Sequence, residues 1–213
     1  MIRFGLLFIS ILVLGSCAQI STFQTARTTP KNEGEIGLSL GIAGISESFG
    51  TDESFALPNL EFWGRYGLGQ KTDLGIKIST GLSGVIDVKQ QLVGDQTSKF
   101  ALAVGPGLGI QGIVLDEVLF QAHLPVHLSY HPGERTAWYL TPRYVYQGVV
   151  GEGGLNYLGT SLGVLFGRNI KFGLEYSFSK ILDPVNDIPD EFDDEDFGAN
   201  LYNIGFGVKF PIR

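Results

Sequence analysis

Three histidines, His123, His127 and His131, recur at a spacing of four in the segment FQAHLPVHLSYHP. On a helix this spacing would let neighbouring imidazoles share a metal ion, although Pro125 interrupts the segment and no His-Glu-x-x-His zinc motif is present. On a strand, successive histidines lie about 13 Å apart at about 3.3 Å per residue. Zinc ligands lie roughly 2.0–2.1 Å from one ion. The choice between helix and strand therefore decides whether these residues can act together.

Two serines stand in the sequence Gly-x-Ser-x-Gly, Ser39 within residues 37–41 and Ser161 within residues 159–163. This sequence marks a hydrolase nucleophile when the serine lies at a sharp turn between a strand and a helix. Both copies lie inside segments in which apolar and small residues alternate, so we expect them to form the small-residue faces of strands.

Apolar residues alternate with small or polar residues almost everywhere from residue 35 onward. In residues 170–178, Ile, Phe, Leu, Tyr and Phe fall on one face, and Lys, Gly, Glu and Ser fall on the other. A period of two is typical of strands and leaves no usable apolar face on a helix. The sequence therefore predicts an all-β protein, in which the three histidines point the same way but cannot share one ion.

Turn-forming residues divide the chain into about ten strands, with eight as the alternative. The predicted strands are 35–46, 57–68, 73–82, 85–93, 99–111, 118–131, 137–148, 155–166, 170–182 and 200–212. Most connections are short, so consecutive strands should pair as hairpins. The sequence predicts an antiparallel up-and-down meander that closes into a β-barrel.

The composition of the two strand faces indicates which one looks outward. The polar face is rich in glycine, as at Gly105, Gly107 and Gly109, and glycine suits a narrow lumen better than a solvent-facing surface. The apolar face has no ionisable residue in mid-strand, as contact with lipid requires. Tyrosine and tryptophan residues lie toward strand ends, where interfacial girdles form. We therefore predict a transmembrane barrel with its apolar face against lipid.

Bulk composition agrees with a membrane barrel and excludes several classes of protein. Only 17% of the 213 residues are charged and the mean hydropathy is +0.16, yet no run of about 20 apolar residues is present for a spanning helix. The net charge of −7 argues against a nucleic-acid partner. The single cysteine excludes an internal disulfide and a multi-cysteine metal site.

The amino terminus has the pattern of a secretory signal, with Arg3 followed by an apolar stretch that is too short to span a membrane. The residues Leu14-Gly15-Ser16-Cys17 resemble the lipobox of bacterial lipoproteins, in which the cysteine becomes the lipidated first residue. We predict a signal peptide over 1–17, lipidation of Cys17 and a polar periplasmic tether over 18–33. Cleavage after Ala18 is the alternative.

Residues 34–213 resemble the small outer-membrane β-barrel proteins of Gram-negative bacteria, by architecture and without a sharp motif. The final strand ends IGFGVKFPIR, with Phe210 three residues before the end. The resemblance implies location in the cell outer membrane, with lipid and lipopolysaccharide as partners and a monomeric state. An even strand number implies that both barrel termini are periplasmic, on the side that a lipid on Cys17 needs, and that the acidic segment 183–198 is an extracellular loop.

Charged and histidine side chains on the inward face are predicted to form a polar network in the lumen. Its members are Glu61, Arg65, Lys77, Asp87, Lys89, His123, His127, Arg143, Glu175 and Lys209. Buried charges must be paired and hydrogen-bonded, so the network either plugs the barrel or forms a polar constriction in a narrow conduit. No metal site and no cofactor is expected.

The sequence predicts a non-enzymatic outer-membrane lipoprotein that is structural or conducts a small solute. One alternative is an outer-membrane lipid-modifying hydrolase, which needs Ser, His and acidic groups that converge on the lipid-facing surface. The other is a soluble, lipocalin-like ligand-binding lipoprotein, which would put its apolar face inside.

Overall fold

The computed structural model describes residues 21–46, 55–80, 83–114, 117–149, 154–182 and 200–212. Its regular elements are strands: β1 (Gly34–Ser46), β2 (Phe55–Gly67), β3 (Thr72–Ser79), β4 (Ser83–Val93), β5 (Phe100–Val104), β6 (Gly107–Val114), β7 (Glu117–Gly133), β8 (Thr136–Val149), β9 (Gly154–Phe166), β10 (Lys171–Ile181) and β11 (Asn200–Ile212). Within the described ranges, no helix is long and apolar enough to cross a membrane.

The strands form one antiparallel sheet that closes on itself. The first and last strands pair over their whole length, from Gly34 opposite Ile212 to Ser46 opposite Asn200. The strand β4 pairs with β3 on one edge and with both β5 and β6 on the other. Because β5 and β6 are two halves of one wall strand, the barrel has ten strands. The predicted meander is confirmed and the eight-stranded alternative is excluded.

The predicted strand 99–111 is interrupted at Gly105 and Pro106. Proline has no backbone N–H to donate to a neighbouring strand. The register against β4 is the same on both sides of the interruption, since Gln90 faces Val104 and Asp87 faces Gly107. The Pro106 carbonyl still accepts a hydrogen bond from the Val88 N–H at 3.0 Å, so the wall remains continuous.

The two faces of the strands separate by residue type as predicted. Apolar side chains of the outward face are about half exposed, among them Leu40 at 58% and Ile204 at 61%. Inward side chains such as Ser161 and Ser177 are fully buried. A barrel with this outward apolar surface needs lipid around it. The transmembrane prediction is confirmed, and the soluble alternative with an apolar interior is wrong.

The connections at the two ends of the barrel differ in length. The terminal end holds the start of β1, the end of β11 and the connections 68–71, 94–99, 134–135 and 167–170. The loop end holds the connections 47–54, 80–82, 115–116, 150–153 and 182–199. The acidic segment 183–198 lies outside the described residues. At the terminal end, hydrogen bonds from Thr97 and Ser98 hold the pKa of Asp95 well below its usual value.

Candidate functional site

The lumen contains a segment of the chain itself. Residues 21–29, here called the amino-terminal segment, lie inside the barrel with every side chain buried except that of Arg27, which is partly exposed. The segment runs from mid-lumen at Ser21 to the terminal end, where the Asn32 N–H donates to the Gly67 carbonyl at 2.9 Å. Residues 21–29 of the predicted periplasmic tether 18–33 therefore lie inside the lumen. The polar residues of this segment form hydrogen bonds with polar side chains of the barrel wall instead of with water. Cys17 and the predicted signal peptide lie outside the described residues.

Arg65 is the centre of a buried ionic cluster near the terminal end. Its guanidinium lies 2.6 Å from carboxylate oxygens of both Asp73 and Asp87. It also donates to the Gln24 side chain of the amino-terminal segment at 3.0 Å. The Arg65 and Asp73 side chains are about 1% and 0% exposed, and the Lys89 ammonium 3.6 Å from Asp73 offsets the second carboxylate. We call Arg65, Asp73 and Asp87 the Arg65 cluster.

Glu61 and Lys77 meet the first described residue of the segment. The Ser21 hydroxyl donates to the Glu61 carboxylate. The Lys77 ammonium donates to the Ser21 carbonyl at 2.5 Å and lies 3.6 Å from Glu61. Asn59 also donates to Glu61, at 3.1 Å. These wall residues therefore fix Ser21 through both its side chain and its main chain.

Glu175 binds the segment through two consecutive peptide groups. Its carboxylate accepts the Thr22 N–H and the Phe23 N–H, each at 2.6 Å. The Tyr139 hydroxyl donates to it at 2.6 Å and the Ser177 hydroxyl at 2.9 Å. Charge-assisted hydrogen bonds of this kind are about twice as strong as neutral ones. We call Glu175, Tyr139 and Ser177 the Glu175 cluster.

Lys89 and Lys209 lie in the half of the lumen next to the terminal end. The Lys89 ammonium donates to the Thr25 carbonyl at 3.2 Å and lies 3.6 Å from Asp73. The Lys209 ammonium lies 2.9 Å from Glu35 and 5.9 Å from the centre of the Trp63 ring. Lys89 thus links the segment to the Arg65 cluster, whereas Lys209 forms a separate ion pair with Glu35.

The histidines and Arg143 line the opposite wall. His127 pairs with the Thr141 hydroxyl at 3.3 Å, and His131 pairs with the Ser129 hydroxyl at 3.0 Å. His123 is partly buried, and its Nε2 is a buried atom without a hydrogen-bond partner. Arg143 is buried and interacts electrostatically with Glu175 and Glu61. All ten side chains of the predicted lumen network therefore lie on the inward face.

Sequence reasoning missed Glu35, Asp73 and Tyr139. The two acids share strand parity with inward residues, since Glu35 is two residues before Gly37 and Asp73 is four before Lys77. With them the network among the described residues holds five carboxylates, Glu35, Glu61, Asp73, Asp87 and Glu175, and, with Lys171 opposite Lys209, six cations, Arg65, Lys77, Lys89, Arg143, Lys171 and Lys209. The alternation of side chains along β8 also puts Tyr139 on the inward face. Aromatic residues are otherwise typical of the outward face, so the sequence did not single it out.

The described residues contain no group of three or more His, Cys, Asp or Glu side chains arranged to hold a metal ion. The serines of the two Gly-x-Ser-x-Gly sequences are buried in strands. Ser39 donates to Glu61 at 3.3 Å and Ser161 pairs with Ser177 at 2.7 Å. No turn exposes either serine, so the geometry of these residues supports binding and packing.

Comparison with known proteins gives similarities of fold. No family model matches the chain and no curated protein matches its sequence. Among solved structures, Ail, the attachment invasion locus protein of Yersinia pestis, is 11% identical with a TM-score of 0.34 over 84% of this chain and 99% of its own. The outer membrane protease OmpT from Escherichia coli is 11% identical with a TM-score of 0.45 over 91% and 100%. The outer membrane protein OprG from Pseudomonas aeruginosa is 15% identical with a TM-score of 0.32 over 88% and 99%. The barrel architecture of this chain rests on its own closed strand pairing and outward apolar surface.

Proposed function

We propose that this protein is a non-enzymatic barrel of the outer membrane whose narrow lumen is held closed by its own amino-terminal segment. A small solute passes only when that segment withdraws. The observation that carries the proposal is the burial of residues 21–29 among the inward charges, where Glu61 and Glu175 are 1% and 3% exposed. A plug that is hydrogen-bonded at several points favours a closed resting state.

Single-channel recording in planar bilayers tests the conduit. We expect the wild-type protein to give a flat trace at moderate voltage. Phe23→Asp puts a carboxylate against the buried glycines that contact the Phe23 ring, so it should displace the segment and produce discrete openings. Thr22→Val is the matched control and should remain closed, because the Thr22 hydroxyl has no hydrogen-bond partner. A silent Phe23→Asp protein that folds normally would leave only a structural role.

The lipid-modifying hydrolase is the second candidate. It draws support from the buried Nε2 of His123, which has no partner in the described part of the chain. It is opposed by the inward direction of all three strand histidines. Purified protein should show no hydrolysis of phospholipid or lipid A, and His123→Ala should change nothing. Hydrolysis that is lost in His123→Ala would replace the conduit proposal.

Lipidation of Cys17 is part of the proposal and is supported by the lipobox-like residues. Chain length adds a constraint, because four residues span at most about 14 Å and Ser21 lies in mid-lumen beside Glu61. A lipid held in the leaflet at the terminal end therefore competes with full docking of the segment. Incorporation of labelled palmitate should vanish in Cys17→Ser, and label that persists would refute lipidation at this residue.

A further inference from the structure

The lumen binds the amino-terminal segment mainly through main-chain groups. Wall side chains contact peptide N–H groups or carbonyls at seven positions along the segment. These contacts are Lys77 to the Ser21 carbonyl, Glu175 to the Thr22 and Phe23 N–H groups, Lys89 to the Thr25 carbonyl, Ser129 to the Ala26 N–H, Gln91 to the Thr28 N–H and Asp73 to the Thr29 N–H. Every polypeptide carries these groups, so such contacts do not depend on one sequence.

Two side chains of the segment lie in shaped apolar surroundings. The Phe23 ring lies against three glycines, Gly173, Gly205 and Gly207, where an added Cβ would come within 2.8–3.1 Å of the ring. Ala26 is fully buried against Ala101 and Ala103. The hydroxyls of Thr22 and Thr29 have no hydrogen-bond partner, although both are buried. The lumen therefore selects a bound segment by two of its side chains, an aromatic residue and a small residue three positions later.

We propose that the lumen is a binding site for an extended polypeptide segment supplied in trans, which exchanges with the amino-terminal segment. This inference rests on the proposed function, since the site becomes free only when the segment withdraws. The partner is an extended, largely uncharged stretch of another protein that presents an aromatic residue and, three residues later, a small one. It reaches the lumen from the terminal end, where residues 30–32 are exposed.

The test uses the complete folded protein with a protease recognition sequence inserted after Asn32. Cleavage in detergent frees the amino-terminal segment from its covalent link. The probe is a fluorescent synthetic peptide, STFQTARTTPK, corresponding to residues 21–31. We expect the peptide to bind the cleaved barrel saturably. Its affinity for the uncleaved barrel should be at least tenfold lower, because the tethered segment competes for the same site. Bound peptide should also close conductance that cleavage opens.

Modified peptides distinguish main-chain recognition from general stickiness. N-methylation at the Phe23 amide removes one donor to Glu175 and keeps the ring, so it should weaken binding at least tenfold. Replacing Phe23 by Ala should do the same, whereas Thr22→Val should bind like the parent peptide. Equal binding of the N-methylated and parent peptides would overturn the proposal. If cleavage opens conductance but no peptide binds, the peptide site is wrong while the plug remains.

Discussion

The Arg65 cluster and the Glu175 cluster contact the same amino-terminal segment in different ways. Arg65 directs its strongest contacts at two carboxylates of the wall, and only Gln24 of the segment reaches it. Glu175 takes two of its four hydrogen bonds described above from Thr22 and Phe23. If the segment withdrew, Arg65 would keep its charge partners, whereas Glu175 would lose two donors.

The difference separates the stability of the barrel from the docking of the segment. The Arg65 cluster connects β2, β3 and β4 and keeps both of its ion pairs without the segment, although Asp73 then loses the Thr29 N–H and Arg65 loses Gln24. The Glu175 cluster, on β8 and β10, is complete only with the segment in place. We therefore expect substitutions in the Arg65 cluster to unfold the barrel, and substitutions at Glu175 to release the segment while the barrel persists.

Arg65→Met should have the largest effect on stability. It leaves Asp73 and Asp87 as buried carboxylates without their main cation, a change that costs about 3–5 kcal/mol. Urea unfolding of the detergent-folded protein, followed by tryptophan fluorescence, measures the loss. Lys71→Met is the control, because an exposed charge should change stability by no more than about 0.5 kcal/mol. A loss at Arg65 as small as that at Lys71 would contradict a structural role for the cluster.

Glu175→Gln should release the segment without unfolding the barrel. Replacing charge-assisted hydrogen bonds by neutral ones weakens docking by roughly 1.5–3 kcal/mol, which corresponds to about a 10- to 150-fold rise in the undocked fraction. Hydrogen-exchange mass spectrometry should show that protection falls in residues 21–29 and not in β1 or β11. Glu134→Gln, in an exposed turn, is the control. Unchanged protection of the segment would contradict the distinction between the clusters.

Gly207→Ala should have the smallest effect on docking of the segment. It tests whether the Phe23 ring lies against Gly207. The new methyl would lie 2.8 Å from the Phe23 ring, and overpacking of this kind costs roughly 1–2 kcal/mol. The same exchange measurement should show partial release of the segment. In a Phe23→Ala background the added methyl should cost almost nothing, because coupling requires contact. Gly84→Ala is the control, since its nearest neighbouring atom is 4.0 Å away. Additive effects at Gly207 and Phe23 would show that the ring does not lie there.

Much of the candidate site could be predicted because strand parity places each side chain on one face. Glu61, Arg65 and Lys77 are inward for the same local reason as the glycines beside them. Partner choice could not be predicted, since it depends on the register between strands. Arg65 on β2 meets Asp87 on β4 across the intervening β3, a contact that no spacing along the chain encodes.

The sequence by itself determined a closed antiparallel barrel with its apolar face outward. A strand alternates its side chains every residue, so composition along ten strands is enough to fix the two surfaces. Only the tertiary structure decided that residues 21–29 fill the lumen. That segment has no period to interpret, and its partners are remote, as with Thr22 and Glu175 at a separation of 153 residues. Docking a short irregular segment depends on the completed interior, which exists only after the barrel has closed.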